Sequence, residues 1–298
     1  MDSKNNPLPK VLYIMGTARS GSTILEIILS KGRGCFGAGE ISSLAQDGFL
    51  ENRECSCGRH CRDCDVWGIV FDLMDAGEND LSLWASVQKQ MDWHDGFFRQ
   101  VAGLVSADAG LEYGKWNRRV LEVLSDATGA SIIVDSSKYA GRALALQRLV
   151  GPDVKVICLT RSPEGLMTSF AKANKDEQRP KKPLSALLYY VVTLASLRLA
   201  IILLGRKNVL QLRYEELISD PAATLNRIGN WSGVDFSEPA QRLKDGLEFE
   251  VGHVITGNRL RKKEKVQFRG GDERKIRRGA RERVVVAIMN VWRVMLLF

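Results

Sequence analysis

Three stretches of the chain carry residue types suited to phosphate chemistry. Gly16-Thr-Ala-Arg-Ser-Gly-Ser-Thr23 spaces its glycines and hydroxyls as G-x4-G-x-[ST]. A turn of this kind aims successive backbone N–H groups at a phosphate, and a helix that follows adds the positive end of its dipole. The candidate donors are Thr17, Arg19, Ser20, Gly21, Ser22 and Thr23. The Walker A pattern requires Lys immediately before the last Ser/Thr, where this chain has Ser22. The loop's cation is instead Arg19, which suits a single phosphate better than magnesium-assisted triphosphate chemistry. The second stretch sets Arg161 at the end of an apolar run, with Ser169 eight residues on. An Arg there offers phosphate a planar fork of donors. The third, Asp135-Ser-Ser-Lys138, follows the apolar run SIIV and puts Lys138 beside the same crevice.

The elements that must position these residues read as alternating strands and helices. Val11–Met15, Ser131–Val134, Val154–Leu159 and Asn208–Leu212 are short apolar runs rich in strand formers. Helical spacing follows at Ile24, Leu25, Ile27, Ile28 and at Leu144, Leu146, Leu149. Ser162, Pro163 and Glu164 form a helix start with cap, first-turn proline and first-turn acid. Continuous apolar strands alternating with helices predict an α/β fold, with a central, mostly parallel sheet flanked by helices in three layers. Ligands in such folds sit beyond the C-terminal strand ends, where all three stretches lie.

With its elements in place, GTARSGST resembles the 5′-phosphosulfate loop of the sulfotransferases that use 3′-phosphoadenosine 5′-phosphosulfate (PAPS). Cytosolic members carry Lys in this loop; the protein-tyrosine and many bacterial branches carry Arg, as here. CLTRSPEGLMTSF matches the family's strand-ending Arg with Ser eight residues later, which implies that Arg161 and Ser169 bind the nucleotide 3′-phosphate. Leu212–Trp231 resembles the family's strand–YEDL–helix segment, which is mainly structural. GNRLR looks like the C-terminal loop that closes over the nucleotide in many bacterial members, which implies contacts from Asn258, Arg259 and Arg261. The resemblance runs from Val11 to Arg283 and finds no motif in 65–131.

What the resemblance implies is transfer of a sulfuryl group from PAPS to a hydroxyl, less readily an amine, by in-line displacement, leaving the desulfonated nucleotide PAP. No catalytic metal is expected. The tyrosylprotein branch has a Lys after the strand equivalent to SIIV that contacts the transferred group, a role this carries to Lys138. Its base is a Glu after a Gly, matched by Gly39-Glu40 in CFGAGEISSL. The catalytic residues so implied are Arg19, Glu40 and Lys138. The cytosolic His motif has no match at His60, His94 or His253, and His253 stands as the reserve base.

Cys55, Cys57, Cys61 and Cys64 form C-x-C-x3-C-x2-C with His60 inside. Structural zinc usually takes two knuckles across a longer loop, so zinc and a local disulfide both stay open. Some bacterial sulfotransferase-like proteins have a related Cys-x-Cys-Gly stretch ahead of a Cys and Trp.

At 298 residues, with 45% hydrophobic and 26% charged residues, the chain is neither disordered, collagenous nor coiled-coil. One domain over 1–298 is expected, with a helical, Cys-containing insertion at about 45–128 forming the acceptor side. That insertion holds Trp67, Trp84, Trp93 and Trp116, four of the six tryptophans. The net charge is +8. From Arg259 to Arg283 there are twelve Lys/Arg and four acids, an excess equal to the whole imbalance. A nucleotide uses two or three of those cations; the surplus suits an acidic small-molecule, carbohydrate or lipid acceptor, or peripheral contact with an anionic membrane. A nucleic-acid binder using this segment would leave the loop, Arg161 and Ser169 unexplained, so no nucleic acid is expected. A nucleotide-dependent kinase or ATPase, with Asp135 as magnesium ligand, lacks the loop Lys. Leu187–Leu204 is apolar except for Arg198 and is expected as a buried helix. The polar start Met1–Lys10 and the absence of an anchor point to a cytoplasmic protein.

Overall fold

The four apolar runs form strands in the computed structural model, which describes residues 7–151, 153–171, 182–257, 259–268 and 279–297. The strands are β1 (Lys10–Gly16), β3 (Ile132–Lys138), β4 (Val154–Thr160) and β5 (Val209–Arg213). A fifth, β2 (Cys35–Gly37), has no apolar run to announce it. Their order is β2-β3-β1-β4-β5, and every pairing is parallel. β1 is central and buried on both faces, which is why it reads as an unbroken apolar run. Val11, Tyr13 and Met15 face one core, and Leu12 and Ile14 face the other. Strand alternation thus feeds two apolar layers from one segment.

On one face lie α2 (Trp67–Met74), α3 (Glu78–Asp92), α4 (His94–Val101), α5 (Ala107–Thr128), α6 (Ala140–Ala145), α7 (Pro163–Ala171), α8 (Pro183–Leu204) and α12 (Ala280–Leu297). On the other lie α1 (Ser22–Leu29), α9 (Tyr214–Ser219), α10 (Pro221–Ser232), α11 (Ser237–Lys244) and the antiparallel pair β6 (Glu248–Glu250) and β7 (Lys265–Gln267). Helices α2–α5 bury Trp67, Trp84 and Trp116 in the same core that Val11, Tyr13 and Met15 enter. α8 buries one face, including Tyr190, Leu194 and Leu197, while Leu184, Leu188 and Ile202 on it are exposed. By length and composition alone it could cross a membrane.

β3 runs to Lys138, four residues past its apolar run. Its register against β1 shifts between Tyr13↔Asp135 and Met15↔Lys138, a bulge that puts an extra residue on β3. A buried network holds this end. Arg142, fully buried, bonds Asp135 Oδ2 at 2.7 Å through Nε, and Asn117 Oδ1 at 2.8 Å through Nη1. Its Nη1 also reaches Asp92 Oδ2 at 3.4 Å, and the Tyr113 hydroxyl donates to Asp92 Oδ1 at 2.6 Å. Arg142 offsets charge on both buried carboxylates, where unpaired burial would be expensive, and burial still raises the Asp92 pKa to about 6. Asp135 is therefore committed to Arg142, which removes it as a magnesium ligand for the kinase alternative.

Candidate active site

β1 ends at Gly16, whose backbone lies against β4 so closely that a Cβ would come 2.0 Å from the Leu159 carbonyl oxygen. The loop then turns through Arg19 (φ 63°) and Gly21 (φ 92°), both left-handed. Gly21 is the N-cap of α1 and brings no capping side chain, leaving the first-turn N–H groups without that partner. Thr17 Oγ1 and Ser20 Oγ are buried with no hydrogen-bond partner among the described residues.

This loop floors a cavity of about 610 Å³. Of the residues singled out in the sequence, Arg19, Gly21, Ser22, Thr23, Glu40, Lys138, Arg161, Ser169 and Arg261 line it. Thr17 and Ser20 belong to the loop but lie behind that lining. Asn258 and the Arg259 side chain lie outside the described residues.

The lining holds two bonded groups. In one, Arg19 Nε donates to Ser169 Oγ at 3.1 Å, and Arg161 Nη1 donates to the Arg19 carbonyl at 3.1 Å. The Arg161 guanidinium also stacks over the Tyr214 ring, 4.4 Å from its centroid. The predicted cap of α7 is present, with Gly165 N–H donating to Ser162 Oγ at 3.1 Å, so Ser169 is carried on a helix that starts beside Arg161. In the other, Lys138 Nζ pairs with Glu40 Oε1. Lys138 is itself left-handed, at φ 75°.

Glu40 is placed by a residue the sequence did not single out. Glu26, on α1, is 1% exposed; its Oε1 accepts from Gly39 N–H at 2.5 Å and its Oε2 from Ser136 Oγ at 2.7 Å. It thereby joins α1, the Gly39–Glu40 turn and the end of β3. Burial raises its pKa to about 7 against those two bonds, with smaller upward pushes from Asp135 and Glu40. A lone acid in the apolar run of α1 was the only signal.

Gly257 and Leu260 of the GNRLR segment line it as well, and so do Ser43, Asp47, Arg53, Tyr214, Ile255, Thr256 and Lys262, which sequence reasoning missed. Tyr214 fell in a segment read as structural. From the 45–128 segment only Asp47 and Arg53 reach the cavity among the described residues; α3 and α5 line a separate cavity of about 630 Å³ with Leu111 and Leu149. His253 does not line the active-site cavity. It lies against Cys64, Nδ1 3.1 Å from Sγ. The cysteines regroup accordingly: Cys55, Cys57 and Cys64 gather with His253, while Cys61 stands apart.

The chain matches the model of the sulfotransferase family over residues 10–238, and it belongs to that family. It is a sulfotransferase enzyme, and the kinase and nucleic-acid alternatives fall away. No curated protein matches it. Among solved structures it is similar to the sulfotransferase domain of the Synechococcus PCC 7002 olefin synthase, at 20% identity over 80% of this chain and 78% of that one, TM-score 0.43. It is also similar to sulfotransferase STF9 from Mycobacterium avium, at 14% identity over 80% and 67%, TM-score 0.46. A third is the sulfotransferase domain from the curacin biosynthetic pathway, at 17% identity over 79% and 77%, TM-score 0.45.

Proposed function

We propose that the sulfonate donor is PAPS and that the acceptor is a hydroxyl compound bearing negative charge. The observation that carries this is one loop-floored cavity lined by two bonded groups: Arg161 and Ser169, each bonded to Arg19 of the loop, and Glu40 paired with Lys138. A donor with phosphates at two positions fits a cavity that offers cations from the loop, from Arg161 and from Lys138. The unpartnered hydroxyls of Thr17 and Ser20 and the uncapped start of α1 support an anion on the loop.

PAPS, when bound, supplies a sulfuryl group on a phosphate oxygen; that S–O bond breaks as the acceptor oxygen bonds to sulfur. Glu40 accepts the acceptor's hydroxyl proton. Lys138, Arg19 and the first-turn N–H groups of α1 stabilise charge on the transferring oxygens and on the phosphate oxygen left behind. The Lys138–Glu40 pair keeps base and cation together, so both act on one acceptor. Arg161 and Ser169 grip the 3′-phosphate alike before and during transfer, and so set affinity more than rate. Arg53, Arg261 and Lys262 at the cavity favour an anionic acceptor, and an anionic membrane surface carrying it would meet the same cations.

The test is incubation of the protein and PAPS with fractionated cell extract, followed by mass spectrometry. The expected result is PAP accumulation together with hydroxyl compounds that gain one sulfuryl group, enriched in the anionic fractions. Sulfation confined to neutral or cationic compounds would overturn the acceptor class.

A further inference from the structure

Among the described residues outside the active site, a group of metal-ligating side chains gathers where the Cys-rich loop meets His253. Cys55, Cys57 and Cys64 each bring one sulfur, and His253 one ring nitrogen, to within 4.8 Å of one another. We propose that these four residues bind a structural zinc ion.

The donor set is three thiols and an imidazole, the soft set zinc takes in tetrahedral structural sites. A tetrahedron with Zn–S bonds of about 2.3 Å has S···S edges of about 3.8 Å. Cys64 Sγ and Cys55 Sγ are 3.7 Å apart. Cys55 and Cys64 are buried and Cys57 is exposed, which gives the ion a route in. Four protein ligands leave no open position, so the ion has a structural role rather than a catalytic one. Cys61, the fourth thiol of the sequence pattern, is turned away: its Sγ lies 3.3 Å from where a Gly48 Cβ would be. His60 is also engaged elsewhere, its Nδ1 2.8 Å from the Asn52 carbonyl.

The ligands come from two segments far apart in the chain, and the surrounding bonds already align them. Trp67 Nε1 donates to the His253 carbonyl at 2.9 Å. Ser56 Oγ donates to the Gly252 carbonyl at 2.6 Å and accepts from Val254 N–H at 2.7 Å, while Ser56 N–H donates to the Val254 carbonyl at 2.9 Å. Outer bonds of this kind orient ligands. Two residues beyond His253, the bent strap Ile255–Gly257 enters the wall of the active-site cavity. The zinc ion fastens that strap to the Cys loop.

Metal analysis of the full-length protein, produced with zinc and washed with a weak chelator, tests this. The expected result is one zinc per chain. Cys57→Ser and His253→Ala each lower retained zinc at least tenfold, while Cys61→Ser and His60→Ala keep it. Cobalt exchanged into folded wild-type protein gives a tetrahedral thiolate spectrum, a readout independent of whether any variant folds. Absence of that spectrum overturns the proposal, as does a Cys55–Cys64 disulfide in place of zinc. Retention in His253→Ala with loss in Cys61→Ser also overturns it, by showing a four-thiolate site.

Discussion

Arg19 and Lys138 both hold left-handed backbone that non-glycine residues avoid, at a cost of about 1–2 kcal/mol each. Strain of this kind persists where surrounding structure imposes it, and it gathers at functional sites. Lys138→Gly separates the two contributions. Removing the strain offsets the loss of a partly exposed ion pair, so the melting temperature should stay at or above the wild-type value, while turnover falls at least 100-fold. Retained turnover would contradict the role given to Lys138. Glu40→Gln should likewise lower turnover by about 100-fold or more with PAP affinity within about threefold. Arg161→Ala should do the reverse, raising the PAP dissociation constant tenfold or more with kcat nearly unchanged at saturating donor. Equal loss of rate and affinity in both variants would contradict the division of labour. Gly21→Ala would place a Cβ 2.5 Å from the Tyr214 ring at a φ of +92°. It should destabilise the fold by about 1–3 kcal/mol, read by denaturant titration.

Among the elements, α1 does two jobs. Its apolar face fills the core beside β1, and Glu26 ties it to the Gly39–Glu40 turn and to β3. The folded pKa of Glu26, about 7, stands above the 4.5 of an unperturbed Glu. The folded state therefore holds the proton more tightly than the unfolded state between those values. Its contribution to stability is full below pH 4.5 and is lost as pH rises to about 7. The loss is on the order of 3 kcal/mol for a shift of this size. Glu26→Gln keeps an acceptor for Gly39 and should flatten that part of the pH–stability curve; an unchanged slope between wild type and variant would contradict the assignment. None of this was legible in the sequence, where Glu26 is one acid in STILEIIL. Its partners, Gly39 and Ser136, converge only through the parallel pairing of β2, β3 and β1. β2 itself escaped notice because three residues, Cys-Phe-Gly, carry no period. His253 was weighed only as a reserve base, and its place beside the cysteines escaped because it meets Cys64 across 189 residues of chain.

At the scale of the molecule, what the sequence did reveal follows from how this fold is built. The residues proposed to bind phosphate sit at the ends of parallel strands, and each strand end and the residues that follow it are contiguous in the chain. The loop at Gly16–Thr23, the Arg161–Ser169 pair and Lys138 at the end of Asp135-Ser-Ser-Lys138 could therefore be read locally, and the sheet order β2-β3-β1-β4-β5 brings them to one cavity. Strand boundaries were less legible, because β3 continues through polar residues that the bulge and the Arg142 network hold in place. Helices α2–α5 read as a helical insertion over the sheet; in the structure Trp67, Trp84 and Trp116 pack into the common core, and among the described residues the cavity receives only Asp47 and Arg53 from 45–128. The central claim is that this cavity is built for a nucleotide with a 3′-phosphate. Thermal-shift titration measures it directly. PAP should raise the melting temperature in a saturable, concentration-dependent way that Arg161→Ala abolishes, while AMP and ATP with Mg²⁺ shift it little. No shift with PAP, or an equal shift with AMP, would contradict the account.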